Sequence, residues 1–230
     1  MLPVLMIITS HNQLGNTGKP TGLWAEELTT PYYALIDAGH DVVLASPKGG
    51  TPPFAAESVK AVANENEGTV KRFLNDAAAM VKFNATHTTA SVNAADYSAV
   101  FLPGGHGTMW DTANDDATAQ LVADSFNAGK PTAAVCHGPA GLVNALRADG
   151  KSILYGKKVN GFTNEEETAA GLMEVVPFHL ETRIKELGAT FESGPMWQPY
   201  AVRDANLITG QNPQSSALVA SHVVAALKGK

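Results

Sequence analysis

The sequence predicts an α/β protein with a mostly parallel sheet held between helices. Three observations carry this. Strand-like and helix-like segments alternate along the chain, the strands read as unbroken apolar runs, and one such run ends in a turn bearing the only cysteine, Cys136. Unbroken apolar strands suit a sheet covered on both faces, and alternation with helices makes that sheet parallel.

Val4 to Thr9 is the first such run, expected to be a buried strand. A polar loop, Ser10 to Gly22, leads to a helix from Leu23 to Ala38, ended by Gly39. Asp41 to Ser46 is the next strand, closed by Pro47-Lys48-Gly49-Gly50. Residues 51–95 pattern weakly and are expected to elaborate the core, with Phe73, Leu74, Ala77, Met80 and Val81 on one helical face. Ala99 to Leu102 is a strand running into Pro103-Gly104-Gly105-His106-Gly107. A helix over 117–127 presents Leu121, Val122 and Phe126, and Gly129 stops it. Thr132 to Val135 is the strand before Cys136, and Pro139 suits the first turn of a helix whose buried face holds Leu142, Val143 and Leu146. Phe178 to Leu187 is a helix, Asn206 to Thr209 a short strand, and Pro213 to Leu227 a final helix with Val219, Val223, Val224 and Leu227 in a stripe. One domain spanning 1–230 is expected.

The chain has 230 residues, 44% hydrophobic and 17% charged, with a net charge of −6. That balance excludes the basic footprint of a nucleic-acid partner. The apolar N-terminal run lacks a basic flank and is too short for a membrane span. A single cysteine makes no internal disulfide. Cytoplasm is therefore expected.

A nucleophile between strand and helix is lifted into the crevice at the carboxyl end of a parallel sheet. A following helix would favour thiolate through its dipole, so a low thiol pKa is expected at Cys136. Cysteine chemistry also needs a proton carrier and donors for a developing oxyanion. His137 can fold back toward the sulfur, and its backbone N–H, with that of Gly105, suits an oxyanion hole. His106, after those glycines, is expected to line the pocket. Two acidic groups could serve, Glu26 and Glu27 or Glu165 to Glu167, and the residues alone do not choose. No histidine pair has local ligand spacing, so no metal site is expected.

Ala134-Val135-Cys136-His137-Gly138-Pro139, Pro103-Gly104-Gly105-His106-Gly107 and a glutamate four residues before Pro31 together resemble the ThiJ/PfpI superfamily. The likeness runs over nearly the whole chain. Gly161-Phe162-Thr163 and Leu207-Ile208-Thr209-Gly210-Gln211-Asn212-Pro213 resemble the branch holding glyoxalase III enzymes and heat-shock chaperone-like members. The resemblance implies a flavodoxin-like three-layer sandwich, with Cys136 as nucleophile, Glu27 as its carboxyl partner and a Cys136-His137-Glu167 triad. Glu26 and Glu166 are the neighbours that compete for those roles. It further implies a homodimer and a cofactor-independent lyase of the hydro-lyase class, converting methylglyoxal to lactate without glutathione, or a related deglycation. The alternatives are a holdase chaperone or cysteine redox sensor, then an amidase or peptidase. Ala134 departs from the glycine usual two residues before an elbow nucleophile.

Overall fold

The structure is a computed structural model that describes residues 2–60 and 68–229. In chain order the elements are β1 Val4–Ile7, α1 Ala25–Asp37, β2 Val42–Ser46, α2 Ala56–Lys60, α3 Thr69–Asn75, α4 Ala77–Asn84, β3 His87–Thr88, β4 Ala99–Leu102, α5 Asp116–Asn127 and β5 Thr132–Val135. They continue as β6 Lys158–Val159, α6 Asn164–Ala169, α7 Leu180–Glu186, β7 Thr190–Phe191, β8 Ala201–Asp204, β9 Leu207–Gly210 and α8 Ser216–Lys228.

Seven strands form the central sheet in the order β3-β2-β1-β4-β5-β9-β8. All neighbours are parallel except β8, which runs antiparallel to β9. Val4 of β1 sits opposite Val42 of β2 on one side and Ala99 of β4 on the other. Leu102 of β4 pairs with Ala134 of β5, and Val135 with Gly210 of β9. Every residue of β1, β4, β5 and β9 is buried, as the continuous apolar runs require. The remaining β6 and β7 pair with each other in parallel. The order reverses between β1 and β4, which opens the crevice at the carboxyl ends of these strands. The three-layer α/β sandwich expected of a flavodoxin-like chain is the fold observed. Among the described residues, no helix is long and apolar enough to cross a membrane.

Two expectations fail. Residues 69–84 form two helices, not one face, because the Asp76 carboxylate accepts the Ala78 and Ala79 amides and starts α4 afresh. The break leaves Leu74 and Val81 exposed, Val81 at 70%, while Phe73 packs as expected and is joined by Val70, Ala79 and Phe83. After Cys136 there is no α-helix but a single 3₁₀ stretch, Gly138–Leu142. Leu142 and Val143 are buried as expected, whereas Leu146 is exposed. Residues 61–67 of the weakly patterned segment lie outside the described residues.

Candidate active site

Cys136 follows β5 directly and holds φ at 59°, a left-handed value that a non-glycine residue adopts only when its surroundings enforce it. Two hydrogen bonds do the enforcing. The Cys136 N–H donates to the Gly210 carbonyl at 2.9 Å, and its carbonyl accepts the Phe162 N–H at 2.8 Å. Ala134, two residues earlier, is wholly buried within β5, so the turn forms without glycine there.

The loop after β4 lies against this turn. A Cβ on Gly104 would come within 2.6 Å of Glu27 Oε2 and 2.7 Å of the His137 nitrogen, so only glycine lets these groups meet. Gly105 holds φ at 98°, and a Cβ there would lie 2.3 Å from the Gly22 carbonyl oxygen. Thr108 ties the loops together, its hydroxyl donating to the carbonyls of Gly105 at 2.9 Å and His137 at 3.0 Å. The Gly105 N–H meets no acceptor among the described residues, and the His137 N–H interacts with the Cys136 sulfur.

Glu27, in the first turn of α1, is fully buried. Pro31 lacks the N–H that would bond the Glu27 carbonyl one turn earlier. Glu27 Oε2 accepts the Gly104 N–H at 2.8 Å. Its Oε1 has no well-aligned partner among the described residues, while the carboxyl interacts with the Cys136 thiol. Burial pushes this carboxyl up to about 8, against the thiol and the Gly104 amide, which pull it down. Glu26 is exposed, so the expectation that it might line the pocket is corrected.

The expected low thiol pKa is also corrected. Burial pushes the Cys136 thiol well up, and Glu27 pushes it further once its carboxyl ionises. The helix dipole that was to oppose this is missing, since the 3₁₀ stretch is too short to supply it. The thiol and carboxyl titrate as one unit, and both keep their protons at neutral pH.

His137 Nδ1 lies 3.4 Å from Cys136 Sγ, and its Nε2 lies 2.7 Å from Glu167 Oε2. Burial pushes the imidazole down, helped by His106 and opposed by Glu167, so the ring is neutral. Burial alone would raise Glu167, but the His137 and His106 rings against it hold it far below the ordinary carboxylate range. An ionised Glu167 accepts, so the His137 hydrogen sits on Nε2. The unprotonated Nδ1 then faces the thiol as an acceptor. His106 Nε2 meets the other oxygen, Oε1, also at 2.7 Å.

Glu166 and Glu167 sit side by side on α6 and serve different ends. Glu166 Oε2 closes a capping box with Thr163, while Oε1 accepts from the Trp197 amide, Gln211 and Asn212. Both its oxygens are spent in the frame, which corrects Glu166 as a residue facing the pocket. Trp197, which the sequence reading missed, is held at φ 60° by that bond. Its indole packs on Phe162, whose ring lies 4.3 Å from His137. His106, expected to line the pocket, joins the His137–Glu167 pair that the family resemblance implies. The ligand-capable atoms of all three lie within 4.8 Å of one another.

The arrangement combines an acceptor nitrogen beside a buried thiol, a protonated carboxyl on the same sulfur, and backbone N–H groups next to it. It can add sulfur to an electrophilic carbonyl and move protons around the adduct.

The family model described as DJ-1/PfpI matches residues 21–226. Glyoxalase 3 of Candida albicans is 29% identical over 240 residues, covering 99% of each chain. The glutathione-independent glyoxalase HSP31 of Saccharomyces cerevisiae is 30% identical, covering 98% of each. Among solved structures, the Francisella tularensis Rapid Encystment Protein 24 kDa superposes with a TM-score of 0.93 at 38% identity, covering 99% of both chains. Glyoxalase III from Candida albicans superposes with a TM-score of 0.88 at 29% identity, covering 98% of this chain and 97% of that one.

Proposed function

Since the chain belongs to the DJ-1/PfpI family, we propose that it is a glutathione-independent glyoxalase, a cysteine enzyme that converts methylglyoxal and water to lactate. The observation that carries this reading is His137, set between Cys136 Sγ at 3.4 Å and the Glu167 carboxylate at 2.7 Å. Relatives named as glyoxalases over almost the full length of the chain support the substrate class.

The thiol rests protonated, so addition needs a base at the moment of attack. His137 Nδ1 takes the thiol proton as sulfur bonds to the aldehyde carbon. Glu167 keeps the ring in the right tautomer and stabilises the imidazolium that forms. The carbonyl oxygen becomes an oxyanion held by the Gly105 and His137 amides and takes the proton back, giving a hemithioacetal. The hydrogen on the former aldehyde carbon then leaves as a proton to His137, while the protonated Glu27 carboxyl gives its proton to the neighbouring carbonyl oxygen, forming an enediol. His137 returns its proton to the neighbouring carbon as the hydroxyl on the sulfur-bearing carbon gives its proton back to Glu27, leaving the lactyl thioester. Water cleaves the thioester, releasing lactate and regenerating the thiol. Each carbon changes oxidation level internally, so no external oxidant or reductant enters. The covalent adduct does what glutathione would do, and no cofactor is required.

Purified protein given methylglyoxal without glutathione is expected to form many equivalents of lactate per Cys136, and the Cys136→Ala variant none. Any accessible thiol or amine consumes methylglyoxal reversibly, so lactate is the quantity to measure. Stoichiometric loss of methylglyoxal with no lactate overturns the reading.

A further inference from the structure

We infer that His106, His137 and Glu167 form a regulatory binding site for a divalent transition-metal cation of the zinc or cobalt type, whose occupancy stops the proton relay. A relay needs one imidazole on its carboxylate. Here a second, His106, holds the other oxygen at the same 2.7 Å. The two rings lie 4.0 Å apart, and the three ligand atoms fall within 4.8 Å of one another. Two imidazole nitrogens and a carboxylate oxygen are the donors that such ions prefer over magnesium or calcium. Three protein ligands leave a fourth position for water, as in open zinc sites.

The present contacts are hydrogen bonds, shorter than the roughly 3.4 Å that separates ligands around a tetrahedral ion with bonds of about 2.1 Å. Each imidazole–carboxylate contact must therefore open by under about 1 Å, while the most separated pair of ligand atoms, now within 4.8 Å, must close to the same spacing. His106 can supply that movement, since its side chain is 19% exposed while His137 is at 1%. The same exposure is the entry path. The Glu167 carboxylate supplies a negative ligand for a dication, and an imidazole bound through Nε2 shifts its hydrogen to Nδ1.

That shift has a consequence for catalysis, which rests on the function proposed above. With Nε2 on the metal, His137 Nδ1 carries a hydrogen and points it at Cys136 Sγ, 3.4 Å away. It can no longer accept the thiol proton. The sulfur lies on the opposite edge of the ring from the cluster and is not a ligand.

Cobalt(II) alone, titrated into the full chain, tests this by visible and near-ultraviolet absorption. One equivalent is expected to give ligand-field bands without a thiolate-to-cobalt charge-transfer band. Cys136→Ala is expected to bind cobalt as the parent does. His106→Ala and the more conservative His106→Gln, each verified as folded by near-ultraviolet circular dichroism, are expected to weaken binding beyond the roughly 10–100-fold that loss of an outer partner brings. Zinc is expected to suppress lactate formation reversibly, with a chelator restoring it. A charge-transfer band, dependence on Cys136, or unchanged binding in the folded His106 variants overturns the site. Cobalt bound at the site with undiminished lactate formation overturns the regulatory role. Absence of lactate formation in the metal-free protein bears on the enzyme reading and leaves the absorption result standing.

Discussion

Glu27 Oε2 accepts the Gly104 N–H at 2.8 Å, and this bond decides where the carboxyl proton sits. The proton belongs on Oε1, the oxygen without a well-aligned partner, on the side of the carboxyl that meets the thiol. The Glu27→Gln amide reproduces both contacts, with its oxygen on Gly104 and its N–H toward sulfur. It cannot ionise.

That difference makes the stability of the protein depend on pH. The folded carboxyl titrates at about 8 rather than 4.5, so between these values the folded chain binds a proton that the unfolded chain does not. Its stabilising contribution is complete below the unfolded value and is lost as pH rises through the folded one. The unfolding free energy of the parent, relative to Glu27→Gln, is expected to fall by a few kcal/mol from about pH 5 to pH 8 and then level off. Urea denaturation of both proteins across that range measures it. A pH-independent difference would show that Glu27 is ionised in the fold.

Glu167→Gln tests the tautomer argument. An amide can accept from His137 through its oxygen, but it then presents its NH₂ to His106 and carries no charge to stabilise an imidazolium. The expected result is a fall in kcat for lactate formation of about 10²–10⁴ with KM little changed. Equal losses in binding and turnover would point to a collapsed pocket instead.

Much of this site could be read from the sequence, for identifiable reasons. The buried strands announced themselves because a parallel sheet covered on both faces needs continuous apolar runs, as in Val4 to Ile7 and Ala99 to Leu102. Cys136 and Gly105 followed, since both stand where such strands end. The glutamates were harder. Residue counting could not separate Glu166 from Glu167, yet the local sequence Thr163-Asn164-Glu165-Glu166 is a capping-box pattern that commits Glu166 to the helix start. That signal would have assigned the imidazole partner to Glu167. The metal-competent cluster had no such signal, because 106, 137 and 167 lie on three separate segments that only the fold brings together. The direction of the thiol shift had no signal either, because the chain after Cys136 continues as a 3₁₀ stretch with no helix dipole to oppose burial.

Glu166 is expected to matter for stability rather than for chemistry. Its oxygens accept from Thr163, the Trp197 amide, Gln211 and Asn212, and the side chain is wholly buried. Glu166→Ala would leave several buried donors unpaired, a loss on the order of 3 kcal/mol or more. Glu26→Gln, on the exposed side of α1, is expected to stay within about 0.5 kcal/mol. Thermal and urea unfolding of the two variants compare them directly. A silent Glu166→Ala would mean that water replaces the carboxylate, and that Trp197 holds its left-handed backbone without it.

The reactivity of the thiol closes the argument about who makes the nucleophile. Were Cys136 a resting thiolate, iodoacetamide would label it rapidly at neutral pH. Burial acts against that at neutral pH, and above about pH 8 the ionised Glu27 carboxylate adds to it. The free protein is therefore expected to label slowly at pH 7. Its rate should climb only above the ordinary thiol value of about 8.5. Glu27→Gln removes the second cause but not the first, so its labelling profile is expected to move toward lower pH while staying on the alkaline side. His137→Ala leaves burial in place and removes the acceptor that works during attack. It is expected to abolish lactate formation while changing the alkaline labelling limb far less. Rapid labelling of the parent at pH 7, unaffected by Glu27→Gln, would place a preformed thiolate in the pocket and remove the need for His137 as a base.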